Sequence, residues 1–297
     1  KKTPSIKKFI NKVFHDDIMN VLAKLPDDSV DMIYGDPDYN VNINYAGKNY
    51  TTEFDGYIDW YVKMTEECMR VLKDDGNIMM MNYSKPNAHL RVKYLDDVAE
   101  MVEEYVWTYN YNFGIRKNRF TRAHRSILHI TKSKNNRFYR DNVAEEYKNP
   151  TDKRVKKLLD SGSKGRMPYS WFYHDLVKNV SKEKSIHAAQ IPQNVSRKLI
   201  ECCTMPGDTV LVLFGGSGSE CEVCKEGGRN YISAELQETY HDLIVKRLKE
   251  GKIPKEYYHK SRLRIKPFHP LNISPGSGIV PYLSKILIRF LLSPIEL

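Results

Sequence analysis

Two short apolar runs, each closed by a distinctive loop, constrain this chain more than anything else in it. Val30 to Tyr34 is followed by Gly35 and the tetrapeptide Asp36-Pro37-Asp38-Tyr39, and Val210 to Phe214 opens into Gly215, Gly216, Ser217 and Gly218. Short β-prone runs ended by Gly and Pro read as buried strands. Helical patterns follow the first run at Tyr57 to Leu72, with Tyr61, Met64, Cys68 and Leu72 on one stripe, and again from about Asn87 to Tyr105. Strands are expected over Ile78 to Met81, Val106 to Phe113 and Ser126 to Thr131, with Asp74, Asp75 and Gly76 as a turn. Around the second run the same rhythm gives a helix from Pro192 to about Cys203, a strand over Thr209 to Phe214 and a helix from Ser219 to about Glu226. A strand over Asn230 to Ala234 and a helix over Leu236 to Lys249 complete it. Such alternation predicts an α/β fold, a doubly wound and mostly parallel sheet covered on both faces. At 297 residues and 41% apolar, the chain can build one such domain and carry an insertion.

The net charge of +10 is localised. Arg116 to Lys184 holds 19 Lys and Arg against 7 Asp and Glu, whereas the rest of the chain holds 28 against 30. A patch of this kind suits a polyanion. Phe120, Phe138, Tyr139, Tyr169, Trp171, Phe172 and Tyr173 lie among these cations, and aromatics mixed with Arg favour nucleic acid over plain solubility. Arg116, Lys117, Arg119, Arg122, Arg125, Lys156, Lys157, Lys164 and Arg166 are the expected nucleic-acid contacts. Periodicity weakens from 137 to 185, which marks that stretch as an inserted recognition region. The segments 1–136 and 186–250 then form the core domain, and 251–297 a tail that is first basic and then apolar. The five cysteines are odd in number and without framework spacing, so a reduced, cytoplasmic protein is expected; the Cys221 and Cys224 pair falls on a helix and reads as packing, with no metal site. Ile279 to Leu292 is interrupted by Pro281, Lys285 and Arg289 and is too short to span a bilayer, so no membrane association is expected.

The two loops suggest one chemistry. An exocyclic amino nitrogen is a poor nucleophile because its lone pair is delocalised into the ring, and accepting hydrogen bonds from both amino hydrogens localises that pair. Asp36 can accept one and the Pro37 carbonyl the other, while Tyr39 can stack on a base that has left the duplex. An ordinary turn after a strand would have the same composition. The glycine loop between a strand and a helix suits a nucleoside ligand, and Glu235, at the end of the next strand, can bind ribose hydroxyls. The third glycine of a pyrophosphate fingerprint is replaced by Cys221, which favours a ligand with ribose but no phosphate, such as S-adenosylmethionine.

On these motifs the chain resembles the beta-class amino DNA methyltransferases of restriction-modification systems. HDDIMNVLAKLPDDSVDMIYGDPDYN is similar to that family's opening block, RFTRAHRSILHITKSKNNRFY to the segment before its recognition region, and HAAQIPQNVSRKLIECCTMPGDTVLVLFGGSGS with GRNYISAEL to its late cofactor block. The resemblance runs from about Val13 to Arg247 and implies a Rossmann-like fold that uses S-adenosylmethionine. It places Asp17, Asp36, Gln190, Ile191, Pro192, Asn194, Phe214, Gly215, Gly216, Ser217, Gly218 and Glu235 at the cofactor, with Asp36, Pro37 and Tyr39 catalytic. It implies double-stranded DNA as substrate, adenine N6 before cytosine N4 because an acid opens the catalytic motif, and raises a homodimer and a cognate restriction endonuclease as partners. Several positions depart from the family pattern: Asp38 stands where Pro is usual, Ile191 for Lys, Val212 for an acid, Glu220 for Thr and Arg125 for Glu. These departures leave open a catalytically impaired DNA-binding subunit.

Overall fold

The computed structural model describes residues 5–110, 117–179 and 181–263. Arg116, the far end of the strand expected over Val106 to Phe113 and the tail from 264 onward lie outside them. In chain order the elements are β1 (Lys12–Phe14), α1 (Ile18–Leu22), β2 (Val30–Gly35), β3 (Asn44–Tyr45), β4 (Lys48–Asn49), α2 (Phe54–Val71), β5 (Leu72–Asn82), α3 (Ser84–Leu90), α4 (Asp96–Val98), β6 (Met101–Thr108) and β7 (His124–Thr131). There follow α5 (Lys153–Asp160), β8 (Trp171–Tyr173), α6 (Gln193–Glu201), β9 (Thr209–Val212), α7 (Ser219–Glu226), β10 (Asn230–Ala234), α8 (Glu238–Glu250) and α9 (Lys260–Leu263).

Eight strands form one sheet in the order β1-β10-β9-β2-β5-β7-β6-β8, and only β7 runs against the others. Every residue of β2 and β9 is buried, as expected of central parallel strands covered on both faces. The strand alternation sorts side chains into two layers. Ile33, Ile78, Leu211 and Ile232 face α1 and α2 with Val21, Leu22, Ile58 and Tyr61. Met32, Tyr34, Met79, Val210 and Val212 face α6 and α7 with Val195, Leu199 and Val223, and Cys221 and Cys224 pack in this second layer. Among the described residues no helix is long and apolar enough to cross a membrane.

Three local expectations differ from the structure. The helix expected from Asn87 to Tyr105 ends at Val98, and Met101 already starts β6. The Asp74-Asp75-Gly76 turn lies within β5, where it coincides with a register shift against β2 between Val30 and Met32. Last, β8 lies within the stretch read as an insertion and pairs with β6 as the edge of the main sheet, in register from Val106↔Trp171 to Thr108↔Tyr173.

The amino end of β2 is fixed by Asp31, which is only 5% exposed. Its carboxylate accepts from Lys73 Nζ at 2.7 Å, Arg137 Nη2 at 2.5 Å and the Thr209 amide at 2.8 Å, so one side chain links β2, β5 and β9. Burial opposes the charge, but Lys73, the Thr209 amide and Arg137 outweigh it and hold the carboxyl below its ordinary value. The folded state therefore binds fewer protons than the unfolded chain near pH 4. This stabilisation is complete above the unfolded value of about 4 and is lost as pH falls through the lowered folded value. Asp31→Asn should lower unfolding stability by about 1 to 3 kcal/mol at pH 7. Urea melts repeated at decreasing pH should show that difference shrinking in acid, and a constant difference would contradict the charged role.

Candidate active site

The two motif strands are neighbours, with Met32 opposite Val210 and Tyr34 opposite Val212. From β2 the chain proceeds through α2 to β5 on one side, and from β9 through α7 to β10 on the other. The winding therefore reverses between them. In an open parallel sheet this leaves a crevice at the carboxyl ends of the strands, where ligands bind. A cavity of about 450 Å³ lies there, within the range of small-ligand sites. Its wall takes Asp36 to Tyr39 from beyond β2, Leu213 to Ser217 from beyond β9, and Glu235 to Gln237 from beyond β10.

The glycine loop has a conformational reason. Gly216 and Gly218 have φ of +53° and +76°, the left-handed region in which a side chain is strained. Gly218 caps α7, and a Cβ there would stand 3.1 Å from Ile244. Glu235 holds the loop from the next strand: Oε2 accepts from the Gly216 amide at 2.8 Å and Oε1 from the Gln237 amide at 2.8 Å. Burial raises the Glu235 carboxyl above its ordinary value. His187 packs on Gly216, between the rings of Tyr45 (5.6 Å) and Tyr240 (4.7 Å). Burial and the Lys184 charge push it down to about 3, so this imidazole is neutral. The β3–β4 hairpin adds Tyr45 and Tyr50 to the wall, and Tyr50 accepts a hydrogen bond from Gln237.

At the other motif the Tyr39 hydroxyl donates to Asp36 Oδ1. Asp36 lines the cavity, and burial, with the charges of Glu220 and Asp38, raises its carboxyl to about 7 against the opposing effects of Tyr39 and Arg125. Asp38 makes an Asx turn, Oδ1 accepting from the Asn40 amide at 2.9 Å, while its buried Oδ2 has no partner. Glu220 accepts from Ser196 Oγ at 2.9 Å and Ser219 Oγ at 2.8 Å. Among the described hydrogen bonds none uses the Pro37 carbonyl.

The structure thus gathers Asp17, Asp36, Pro37, Tyr39, Gln190, Ile191, Phe214, Gly215, Gly216, Ser217 and Glu235 on one wall. Pro192 and Gly218 stand behind it as caps of α6 and α7. Asn194 lies outside, in a separate groove, 3.3 Å from His174 Nε2. Of the expected DNA contacts, Arg125 turns inward, its guanidinium 4.8, 4.4 and 5.3 Å from the ring centres of Tyr39, Tyr83 and Tyr109. Arg166 is paired with Glu145 and lies 4.5 Å over Tyr169. Lys117, Arg119, Arg122, Lys156, Lys157 and Lys164 are exposed. Sequence reasoning missed Asp16, Tyr45, Tyr50, Trp60, His187, Gln237 and Tyr240 on the wall. Only the tyrosine-rich loop from Asn40 to Gly56 and the His opening HAAQIP signalled any of them.

Six carboxyl side chains and no Lys or Arg line the described cavity, which disfavours a phosphate-bearing ligand. A ligand with a ribose for Glu235, an apolar base for Ile18, Leu213 and Phe214, and a positive charge fits it. A Rossmann-like sheet with this crevice is the architecture of S-adenosylmethionine-dependent methyltransferases among other nucleotide-binding folds, and the sequence match places the chain in that class. The sequence signature described as "DNA methylase", of the N6/N4 type, matches residues 30–246, and the chain belongs to that family. It is 28% identical over 250 residues to the type II methyltransferase M.BglII of Bacillus subtilis, covering 80% of this chain and 68% of that protein. To the DNA adenine methyltransferase YhdJ of Escherichia coli K12 it is 29% identical over 247 residues, covering 80% and 82%. The fold matches that of the cytosine-N4-specific PvuII DNA methyltransferase with a TM-score of 0.62 at 19% identity, over 82% and 88% of the two chains. It also matches the M1.HpyAVI complex with S-adenosylmethionine, with a TM-score of 0.54 at 20% identity, over 80% and 99%.

Two results follow from the raised Asp36 carboxyl. A raised acid binds an extra proton in the folded state between about pH 4 and pH 7, so its contribution to stability declines as pH rises through that window. Asp36→Asn should therefore raise the thermal midpoint at pH 8 and change it little at pH 4.5. Binding of a cation beside Asp36 should weaken as pH falls through about 7. Calorimetric S-adenosylmethionine affinities that are flat from pH 8 to 6 would contradict this.

Proposed function

We propose that this methyltransferase modifies adenine N6 at a specific site in duplex DNA, after the base has been flipped out of the helix. The observation carrying this reading is that Asp36, an acid rather than a serine, lines the cofactor cavity beside the Pro37 carbonyl, which takes no part in the described hydrogen bonds. The likeness to an adenine methyltransferase supports it. When bound, S-adenosylmethionine supplies a methyl group on a sulfonium whose sulfur keeps the bonding electron pair. Asp36 accepts one amino hydrogen and the Pro37 carbonyl the other, which localises the nitrogen lone pair that forms the new bond. The surplus proton on nitrogen passes to Asp36, whose carboxyl, raised to about 7, suits a proton acceptor, and from there to solvent. Tyr39 is only 4% exposed and lies against Arg125 and Tyr83, so a base reaches its ring as those two side chains shift.

DNA binds, in this reading, across the exposed cations of 117–122 and of α5, with 137–185 as the recognition region. Phe120 is fully exposed among the first group, and Arg122 lies 4.3 Å over Tyr83, beside the catalytic motif. On α5 Lys156 and Lys157 are exposed. A homodimer and a cognate endonuclease remain proposals carried by the resemblance alone.

Asp36→Ala should lower turnover at least about 100-fold, as does loss of a preorganised hydrogen-bonding group at a transition state. Radiolabelled transfer at wild-type rate in that variant would remove Asp36 from the chemistry. Replacing Lys156 and Lys157 by Gln should flatten the log-log salt dependence of DNA affinity by about 0.9 per lost phosphate contact, with cofactor affinity unchanged. Equal slopes for variant and wild type would place DNA elsewhere.

A further inference from the structure

The cavity wall combines Asp16, Asp17, Asp36, Asp38, Glu220 and Glu235 with no Lys or Arg among the described residues. Local cations neutralise only part of this set. Asp16 is paired with Lys24 at 2.9 Å, and Arg125 acts on Asp36 from the Tyr39 side without lining the cavity. His187 is the remaining basic side chain on the wall, and burial keeps it neutral. Asp38 and Glu220 stand with Asp36 at the methyl-transfer end, close enough for each to act on its charge. Asp38 carries a buried oxygen with no hydrogen-bond partner. Glu220 is 6% exposed and receives one serine hydroxyl on each oxygen, which fixes its carboxyl on the wall.

Both carboxyls are held by hydrogen bonds to neutral groups, Asp38 by the Asn40 amide and Glu220 by two serine hydroxyls. What they change is the field in the cavity. The methyl donor carries a sulfonium, an ammonium and a carboxylate, a net charge of +1. The product has lost the methyl and its sulfur is a neutral thioether, so its net charge is zero. In a cavity screened from water, one charge against a nearby carboxylate decides affinity far more than it would in solution.

We propose that Asp38 and Glu220 make this cavity charge-selective, holding the cationic methyl donor in preference to its neutral demethylated product. The inference rests on the cofactor assignment. Transfer moves the positive charge off sulfur and, with the departing proton, out of the site, so the product loses its main attraction when the reaction is complete. Release of the thioether is thereby favoured, and turnover proceeds with little product inhibition.

The test is calorimetric binding of S-adenosylmethionine and S-adenosylhomocysteine at pH 8 to the whole chain, with Asp38→Asn and Glu220→Gln beside wild type. Wild type should bind the donor about tenfold more tightly than the product, and each variant should weaken the donor about fivefold while the product changes by less than about twofold. Equal losses for both ligands, or an unchanged ratio, would overturn the proposal. Should either variant fail to fold, wild type alone decides, using an analogue with an ammonium in place of the sulfonium. Affinity near the donor's supports charge selection, and affinity near the product's refutes it. Binding of none of the three ligands would instead refute the cofactor assignment, which separates the two failures.

Discussion

The pairing of β2 with β9 is the contact on which the rest of the site depends. The tetrapeptide and the glycine loop are 175 residues apart in the chain, yet the register Met32↔Val210 to Tyr34↔Val212 sets their ends side by side. That pairing holds because both strands are buried on both faces and because Asp31 links the Thr209 amide to Lys73 and Arg137 at the opposite end. A one-residue slip would exchange the two layers of side chains and turn Met32, Tyr34, Val210 and Val212 toward the wrong helices. Chemistry at the carboxyl ends is thus set by packing at the core and by the ion cluster around the buried Asp31 below it.

Electrostatics at the site carries a cost that the fold must absorb. Asp36, Glu220 and Glu235 are all raised by burial, so the cavity is an unfavourable place for negative charge until a cation occupies it. Stability and function pull in opposite directions here, as is common where binding groups are held in place before the ligand arrives. The serine hydroxyls on Glu220 and the two amides on Glu235 offset part of this cost by fixing the carboxylates where a ligand can use them.

Much of this was legible in the sequence, and the pattern of what was not is physical. The helix Ser219–Glu226 and the strand Asn230–Ala234 are found where the sequence places them, because Gly218, Gly227 and Gly228 punctuate them. β1 is three residues long and offers no periodicity. β6 begins Met-Val-Glu-Glu, residues that suit a helix, and becomes a strand only through pairing with β7. The sequence marks Arg125 as a DNA contact because it cannot show three tyrosines from separate segments closing around one guanidinium. His187 and Tyr240 were missed for the same reason: each gains its role only when the chain between α5 and α6 folds back over the glycine loop.

The crevice between β2 and β9 is proposed to bring a methyl donor and a DNA amino group together at Asp36. The most direct test incubates the purified protein with duplex DNA and S-adenosylmethionine bearing a deuterated methyl group, then digests the DNA and identifies the nucleosides by mass. Deuteromethyl is expected on adenine N6, and none with Asp36→Ala. Label on cytosine N4 would keep the site and correct the base, while DNA that is bound but carries no label on any amino group would contradict the account.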